Sequence, residues 1–167
     1  QETREHLLWQ GFRSEVLYWE EDIIRWAGKY NLDPNIIATL MQIESCGWRE
    51  AVSPAGALGL FQVMPYHFSD PSKAFNPNEN SKRGLNYFST GYNSVNGNLK
   101  LSFAMYNGGH GVNRNPTMWS DETTRFVKWG GGIMQDISDG LETSPTLNQW
   151  LENDGVRLCE KAAEEQK

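Results

Sequence analysis

Apolar residues in this chain recur at steps of three and four, and almost nowhere at steps of two. Leu8, Phe12, Trp19, Ile23, Trp26 and Tyr30 keep helical spacing, with Glu15 as a polar exception in the same row. A half-buried sheet needs clean alternation, and no run supplies it. The chain therefore reads as mainly α, with little regular strand. Its 167 residues fit one domain. Seven Trp within a 38% hydrophobic composition provide enough large apolar surface for a core.

Punctuation residues divide this pattern into elements. The first stretch is one long helix or two, broken near Gly11. Asp33-Pro34 places a cap before a proline at the first helical position. The helix it opens carries Ile36, Ile37, Leu40, Met41 and Ile43 and should end near Gly47. Residues 51–65, rich in Gly, Pro and small side chains, predict a structured loop holding a short helix, and residues 71–80 a further loop. Leu85, Phe88, Tyr92 and Val95 mark another helix, and Asn98 caps the next through Phe103 and Met105. The glycines at 108, 109 and 111 end it. Asp121 caps a helix through Phe126 and Trp129 that Gly130-Gly131-Gly132 should weaken badly. Ser144-Pro145 starts the final helix, and residues 162–167 should fray. The resulting plan is an N-terminal helical segment (1–32), a core (33–142) and a C-terminal helix and tail (143–167), all in one globular unit.

Charge and composition narrow the partners. The formal net charge is −6, and no run of Lys or Arg offers a nucleic-acid surface. No stretch of about 18 apolar residues is present to span a membrane. Neither a signal-peptide pattern nor an initiator Met opens the chain, which reads as a mature form or an excised domain. Cys46 and Cys159 match no zinc spacing, and His6, His67 and His110 show no ligand spacing, so no metal or other cofactor is expected. The two cysteines form one disulfide in an oxidising compartment, or else are two buried thiols. A bond between them would strap the tail across the back of the helix that ends near Gly47.

Glu44 is the residue with chemistry to offer. At about 100° per residue it falls between Leu40 and Ile37 on the helical wheel, in the middle of the apolar face. It also sits at the negative end of the helix dipole. Burial and dipole both disfavour the carboxylate and raise its pKa, which suits a general acid. Helix position alone leaves a structural Glu paired with an Arg equally open.

The flanking residues carry a resemblance. Ile43-Glu44-Ser45, then Ser53-Pro54-Ala55-Gly56-Ala57-Leu58-Gly59-Leu60-Phe61-Gln62-Val63-Met64-Pro65, resembles the signature of lytic transglycosylases of the lysozyme superfamily. Arg83-Gly84-Leu85-Asn86-Tyr87-Phe88, Ala104-Met105-Tyr106-Asn107-Gly108-Gly109-His110-Gly111 and Glu122-Thr123-Thr124-Arg125-Phe126-Val127 resemble three further motifs of that family, in its order. Phe61 stands where the family has Met, Gly108 and His110 replace Ala and Pro, and an extra Thr precedes Arg125.

The resemblance implies a lysozyme-like domain with a substrate groove, secreted, periplasmic or attached to the cell wall, acting as a monomer on peptidoglycan glycan strands. It implies that Glu44 is the acid/base. Ser53 would lie near the substrate's N-acetyl group, Gln62 and Met64 would line the sugar site, and Tyr106 and Asn107 would face Glu44 across the groove. A carboxyl would be a good partner for the Tyr106 phenol. Trp48, Tyr66, Phe68 and Trp119 lie in or beside loops and are candidates for sugar stacking, against the more usual fate of core packing. Glu50 is the one further carboxylate assigned to the motif region, in a variable spacer. A one-carboxylate site implies cleavage assisted by the substrate's own N-acetyl group, closing a 1,6-anhydro ring, whereas a hydrolase would want a second carboxylate. Hydrolysis of the goose-lysozyme kind, chitin cleavage and glycan binding without cleavage are the rival readings.

Overall fold

A computed structural model describes residues 7–167 of the protein. His6 and the first six residues of the N-terminal segment lie outside the described residues. The elements in chain order are α1 (Ser14–Leu17), α2 (Glu20–Tyr30), α3 (Pro34–Glu44), α4 (Pro77–Ser94), α5 (Leu99–Gly108), α6 (Asp121–Ser138), α7 (Pro145–Trp150) and α8 (Val156–Glu165). Single turns of 3₁₀ helix at Pro65–His67, Pro71–Lys73 and Pro116–Met118 punctuate the connections. Two isolated antiparallel bridges, Val52 to Leu58 and Leu58 to Val63, are the only extended pairing among the described residues. The fold is mainly α, as the spacing predicts.

At the centre lies α3. All of its residues from Ile36 to Ile43 are buried, including Thr39 and Gln42. A helix buried on every side has no solvent face, so the wheel argument for Glu44 discriminates less than it first suggests. Asp33 caps it by accepting from the Asn35 backbone N–H at 2.8 Å, with Pro34 at the first position. α1, α2 and α6 pack on α3, while α5 packs between α4 and α6.

Several boundaries differ from the sequence reading. The N-terminal apolar row is two helices that start at Ser14, separated at Tyr18 and Trp19. No helix forms within 51–64; turns and the two bridges fold that segment instead. α4 starts at Pro77, inside the expected loop, because Asn76 accepts from the N–H groups of Asn78 and Glu79. The cap of α6 is Ser120, accepting from Thr123 N–H at 3.1 Å, rather than Asp121.

The glycine run does not break α6, which continues to Ser138. A Cβ built on Gly130 would lie 2.9 Å from the ring of Phe103. The missing side chain lets α6 approach α5 closely, and the packing gained on buried Phe103 offsets the helix-propensity cost of about 1 kcal/mol.

The C-terminus is equally unlike the expectation of fraying. α7 starts after Ser144, whose hydroxyl accepts from Leu147 N–H at 3.0 Å. The chain turns at Asn153 and Asp154, and α8 then runs to Glu165. Ala162 is fully buried. Glu165 accepts from the backbone N–H groups of Arg49 and Glu50, and the Gln166 amide donates to the carbonyls of Glu15 and Gly47. Cys46 and Cys159 are disulfide-bonded, with Cα atoms 5.0 Å apart. The tail is thereby fastened to the turn that follows α3.

Candidate active site

Glu44 is the last residue of α3, and its side chain emerges into a groove of about 370 Å³. The walls come from the 51–67 loop, from α4 and α5, and from the first turn of α6. Among the described residues, no protein donor bonds the Glu44 carboxyl. Burial raises its pKa from 4.5 to about 8, with the negative charge of Glu122 as the second cause. The group is therefore a carboxylic acid at neutral pH, able to give a proton to a leaving oxygen and then take one back.

The loop opposite Glu44 is held by buried polar side chains. Ser45 donates from Oγ to the Leu60 carbonyl at 2.7 Å, tying the end of α3 directly to the loop. Asn80, fully buried on α4, accepts from Phe61 N–H at 2.8 Å and donates to the carbonyls of Leu58 and Ala74, both at 2.8 Å. The Tyr106 hydroxyl donates to the Phe61 carbonyl at 2.6 Å. Gly84 makes this convergence possible, since a Cβ there would sit 2.9 Å from the Phe61 Cβ and 3.0 Å from the Tyr106 hydroxyl.

The residues expected to bind substrate divide by what their polar atoms already do. Ser53, Gln62, Met64, Tyr106 and Asn107 all line the groove with Glu44. The Ser53 hydroxyl accepts from Ala57 N–H at 3.0 Å. The Gln62 amide donates to the carbonyls of Ala51 and Gly59, so its N–H groups serve the loop. Tyr106 lies close enough to Glu44 for that charge to help raise its pKa, after burial, but its hydrogen bond goes to Phe61 rather than to the carboxyl.

A second carboxylate stands in the groove, and the one-carboxylate count is corrected accordingly. Glu122, at the start of α6, lines the same cavity as Glu44. The Asn107 amide donates to its Oε1 at 3.3 Å, while the Asn107 carbonyl oxygen accepts from the Thr123 hydroxyl at 2.7 Å. Thr123 thus sets which way Asn107 faces. Glu122 belongs to the Glu-Thr motif quoted above, and that membership was the available signal. Glu50 is exposed.

Of the proposed stacking aromatics, only Tyr66 lines this groove, with 77% of its surface exposed. Phe68 is buried in the core. Trp48 lies with Trp129 and Trp150 in a separate pocket beside α8, and Trp119 lines another between α5 and α6. Their loop positions in sequence did not reveal which side of the molecule those loops occupy. The groove also holds His67, which follows the Met64-Pro65 corner, and Arg83 and Tyr87, which lie in the quoted Arg83-to-Phe88 motif. The His67 ring sits 4.5 Å from Tyr66 and 5.3 Å from Tyr87, and the Tyr87 ring stacks on His110 at 4.0 Å. Burial, then the charge of Arg83 and the neighbouring His110, lowers the His67 pKa, keeping it neutral at pH 7.

One cluster among the described residues has metal-ligand spacing, Glu15 with Cys46 and Cys159. Its sulfurs are bonded to each other and Glu15 pairs with Arg13, so those groups are already engaged.

A mainly helical domain with a half-buried acid at the end of its central helix, facing a groove, has the architecture of a lysozyme-like domain. The chain belongs to the transglycosylase SLT domain family, whose model matches residues 21–125. It is 29% identical over 127 residues to a transglycosylase of Enterobacteria phage PRD1, covering 75% of this chain and 45% of the relative. An inactive mutant of the lytic transglycosylase Slt from Pseudomonas aeruginosa shares the fold with a TM-score of 0.59 at 22% identity, over 74% of this chain and 24% of that one. The chain thus spans under half the length of either protein.

Proposed function

We propose that this domain is a peptidoglycan lytic transglycosylase that cleaves the β-1,4 bond between N-acetylmuramic acid and N-acetylglucosamine. The observation that carries this reading is the Glu44 carboxyl, held protonated by burial at the floor of an open groove. Glu44 gives its proton to the bridging oxygen as the bond to the muramoyl C1 breaks. The substrate's N-acetyl group stabilises the cationic centre, and the negative charge of Glu122 in the same groove favours it too. The Glu44 carboxylate then takes the proton of the muramoyl C6 hydroxyl as that oxygen bonds C1 and closes the 1,6-anhydro ring. Bonds and protons balance without a cofactor, and Glu44 is returned protonated. Family membership supports the substrate class, and the disulfide supports a site of action outside the cytoplasm.

Glu122 favours one rival, hydrolysis of the same bond with Glu122 directing a water to C1. Digestion of purified peptidoglycan followed by mass spectrometry separates the two. Anhydro-muramoyl ends, lighter by one water, are expected; reducing muramoyl ends would establish hydrolysis. Glu44→Gln keeps the shape and removes the proton, and should lose cleavage altogether. Near-normal turnover in that variant would remove Glu44 from the mechanism.

A further inference from the structure

Arg83 is the only Lys or Arg among the described residues that lines the groove. Its Nε is buried and has no hydrogen-bond partner. Nor does any other guanidinium nitrogen of Arg83 hydrogen-bond or ion-pair with the protein among the described residues. A buried donor left without a partner costs about 1 to 3 kcal/mol, and more when charged. Such a group is retained where a ligand completes it.

The position of Arg83 says what kind of ligand. It lies at the junction of the groove and a side pocket of about 240 Å³ that also holds Lys73, Lys82, Asp70 and Glu79. The Asp70 carboxylate is occupied by the Ser72 hydroxyl and N–H. With Arg83, the pocket carries three cations against two carboxylates, a locally positive place on a chain of net charge −6. A guanidinium fork at the mouth of a side pocket fits a planar anion borne on a branch of the chain lying in the groove.

Resting on the proposed action on peptidoglycan, we infer that Arg83 binds a carboxylate carried on the muramoyl side arm, with the side pocket receiving that arm. The carboxylate comes from the lactyl group itself in peptide-free glycan, or from the stem peptide attached to it. Arg83 thereby makes the groove select muramoyl glycan over uncharged N-acetylglucosamine chains, which have neither branch nor charge.

The test measures affinity, in a Glu44→Gln background so that nothing is cleaved. Three glycans of equal length serve as probes: peptide-bearing peptidoglycan strands, strands stripped of peptide that keep lactyl carboxylates, and N-acetylglucosamine oligomers. Adding Arg83→Gln should weaken binding of the carboxylate-bearing probes by about tenfold to a hundredfold. Binding of the uncharged oligomer should change less than twofold. Loss with the stripped probe alone identifies the lactyl carboxylate, which is an amide in the peptide-bearing strands. Loss with the peptide-bearing probe alone identifies the stem peptide, and loss with both shows that Arg83 takes a carboxylate from either source. Arg83→Lys should recover part of the affinity by restoring charge without the fork. An equal loss for all three probes would overturn the inference, as would no loss for any. Absence of preference for the muramoyl probes before Arg83 is changed would do the same. Cleavage by the unmodified protein is scored separately, so a failed enzymatic reading is distinguishable from a failed Arg83.

Discussion

The hydroxyl of Tyr106 on α5 donates to the carbonyl of Phe61 at 2.6 Å, in the loop that faces Glu44. The backbone N–H of the same Phe61 is held by Asn80 on α4. One residue of the loop is thus pinned from two helices, on both of its backbone groups. Two consecutive helices, with anchors 19 and 45 residues beyond Phe61, set the height of the groove wall.

Tyr106→Phe removes one of those pins and leaves the Phe61 carbonyl without its donor. The expected loss is about 1 to 2 kcal/mol in urea unfolding. Any fall in cleavage follows from a loosened wall. If Tyr106 instead served Glu44 directly, stability would be unchanged and turnover alone would drop.

Glu122→Gln tests the coupling between the two carboxyls. Cleavage needs the protonated form of Glu44, so the rate should fall as pH rises through about 8. The negative charge of Glu122 is the second cause of that raised value. Its removal should move the alkaline limb of the kcat/KM profile to lower pH. An unmoved limb would show that the Glu122 charge does not reach Glu44.

Glu44→Gln should also stabilise the fold in a pH-dependent way. The folded pKa of about 8 lies above the ordinary 4.5. Between those values the folded state holds a proton that the unfolded chain has lost, so stability falls as pH rises through that window and levels off above it. A glutamine there is insensitive to pH. The variant should therefore exceed the unmodified protein by roughly 1 to 3 kcal/mol at pH 8, with the advantage vanishing near pH 4. Unfolding in urea at the two pH values reads the difference.

Reduction of the disulfide should lower stability by about 2 to 4 kcal/mol, because Cys46 and Cys159 are 113 residues apart and their bond closes a long loop of the unfolded chain. Thiol titration of the unfolded, unreduced protein should find no free thiol. Glu165 and Gln166 still hold the tail to the turn after α3 when the bond is open, so the helical signal should persist at moderate temperature.

What the sequence by itself determined is local. The start of α3 at Pro34 follows from the Asp33 cap, the starts of α5 and α7 from Asn98 and Ser144, and the position of Glu44 at the C-terminal end of α3 from the helix that cap begins. Each is decided by hydrogen bonds and dihedral preferences within a few residues, and these act wherever the segment lies. The quoted motifs contain Ser53, Gln62, Met64, Tyr106 and Asn107, all of which line the groove.

Tertiary structure decided which polar atom meets which. It set the Tyr106 hydroxyl on Phe61 and not on Glu44, and turned the Gln62 amide to the loop. It brought Glu122 from α6 into the cavity of Glu44, and sent Trp48 and Trp119 to other pockets. The three consecutive glycines read locally as a helix breaker, yet Gly130 lets α6 close on Phe103. The polar tail read as loose, yet it is bonded to the turn behind Glu44. In each case the outcome depends on a partner contributed by a distant segment, and the free energy of that contact outweighs the local preference.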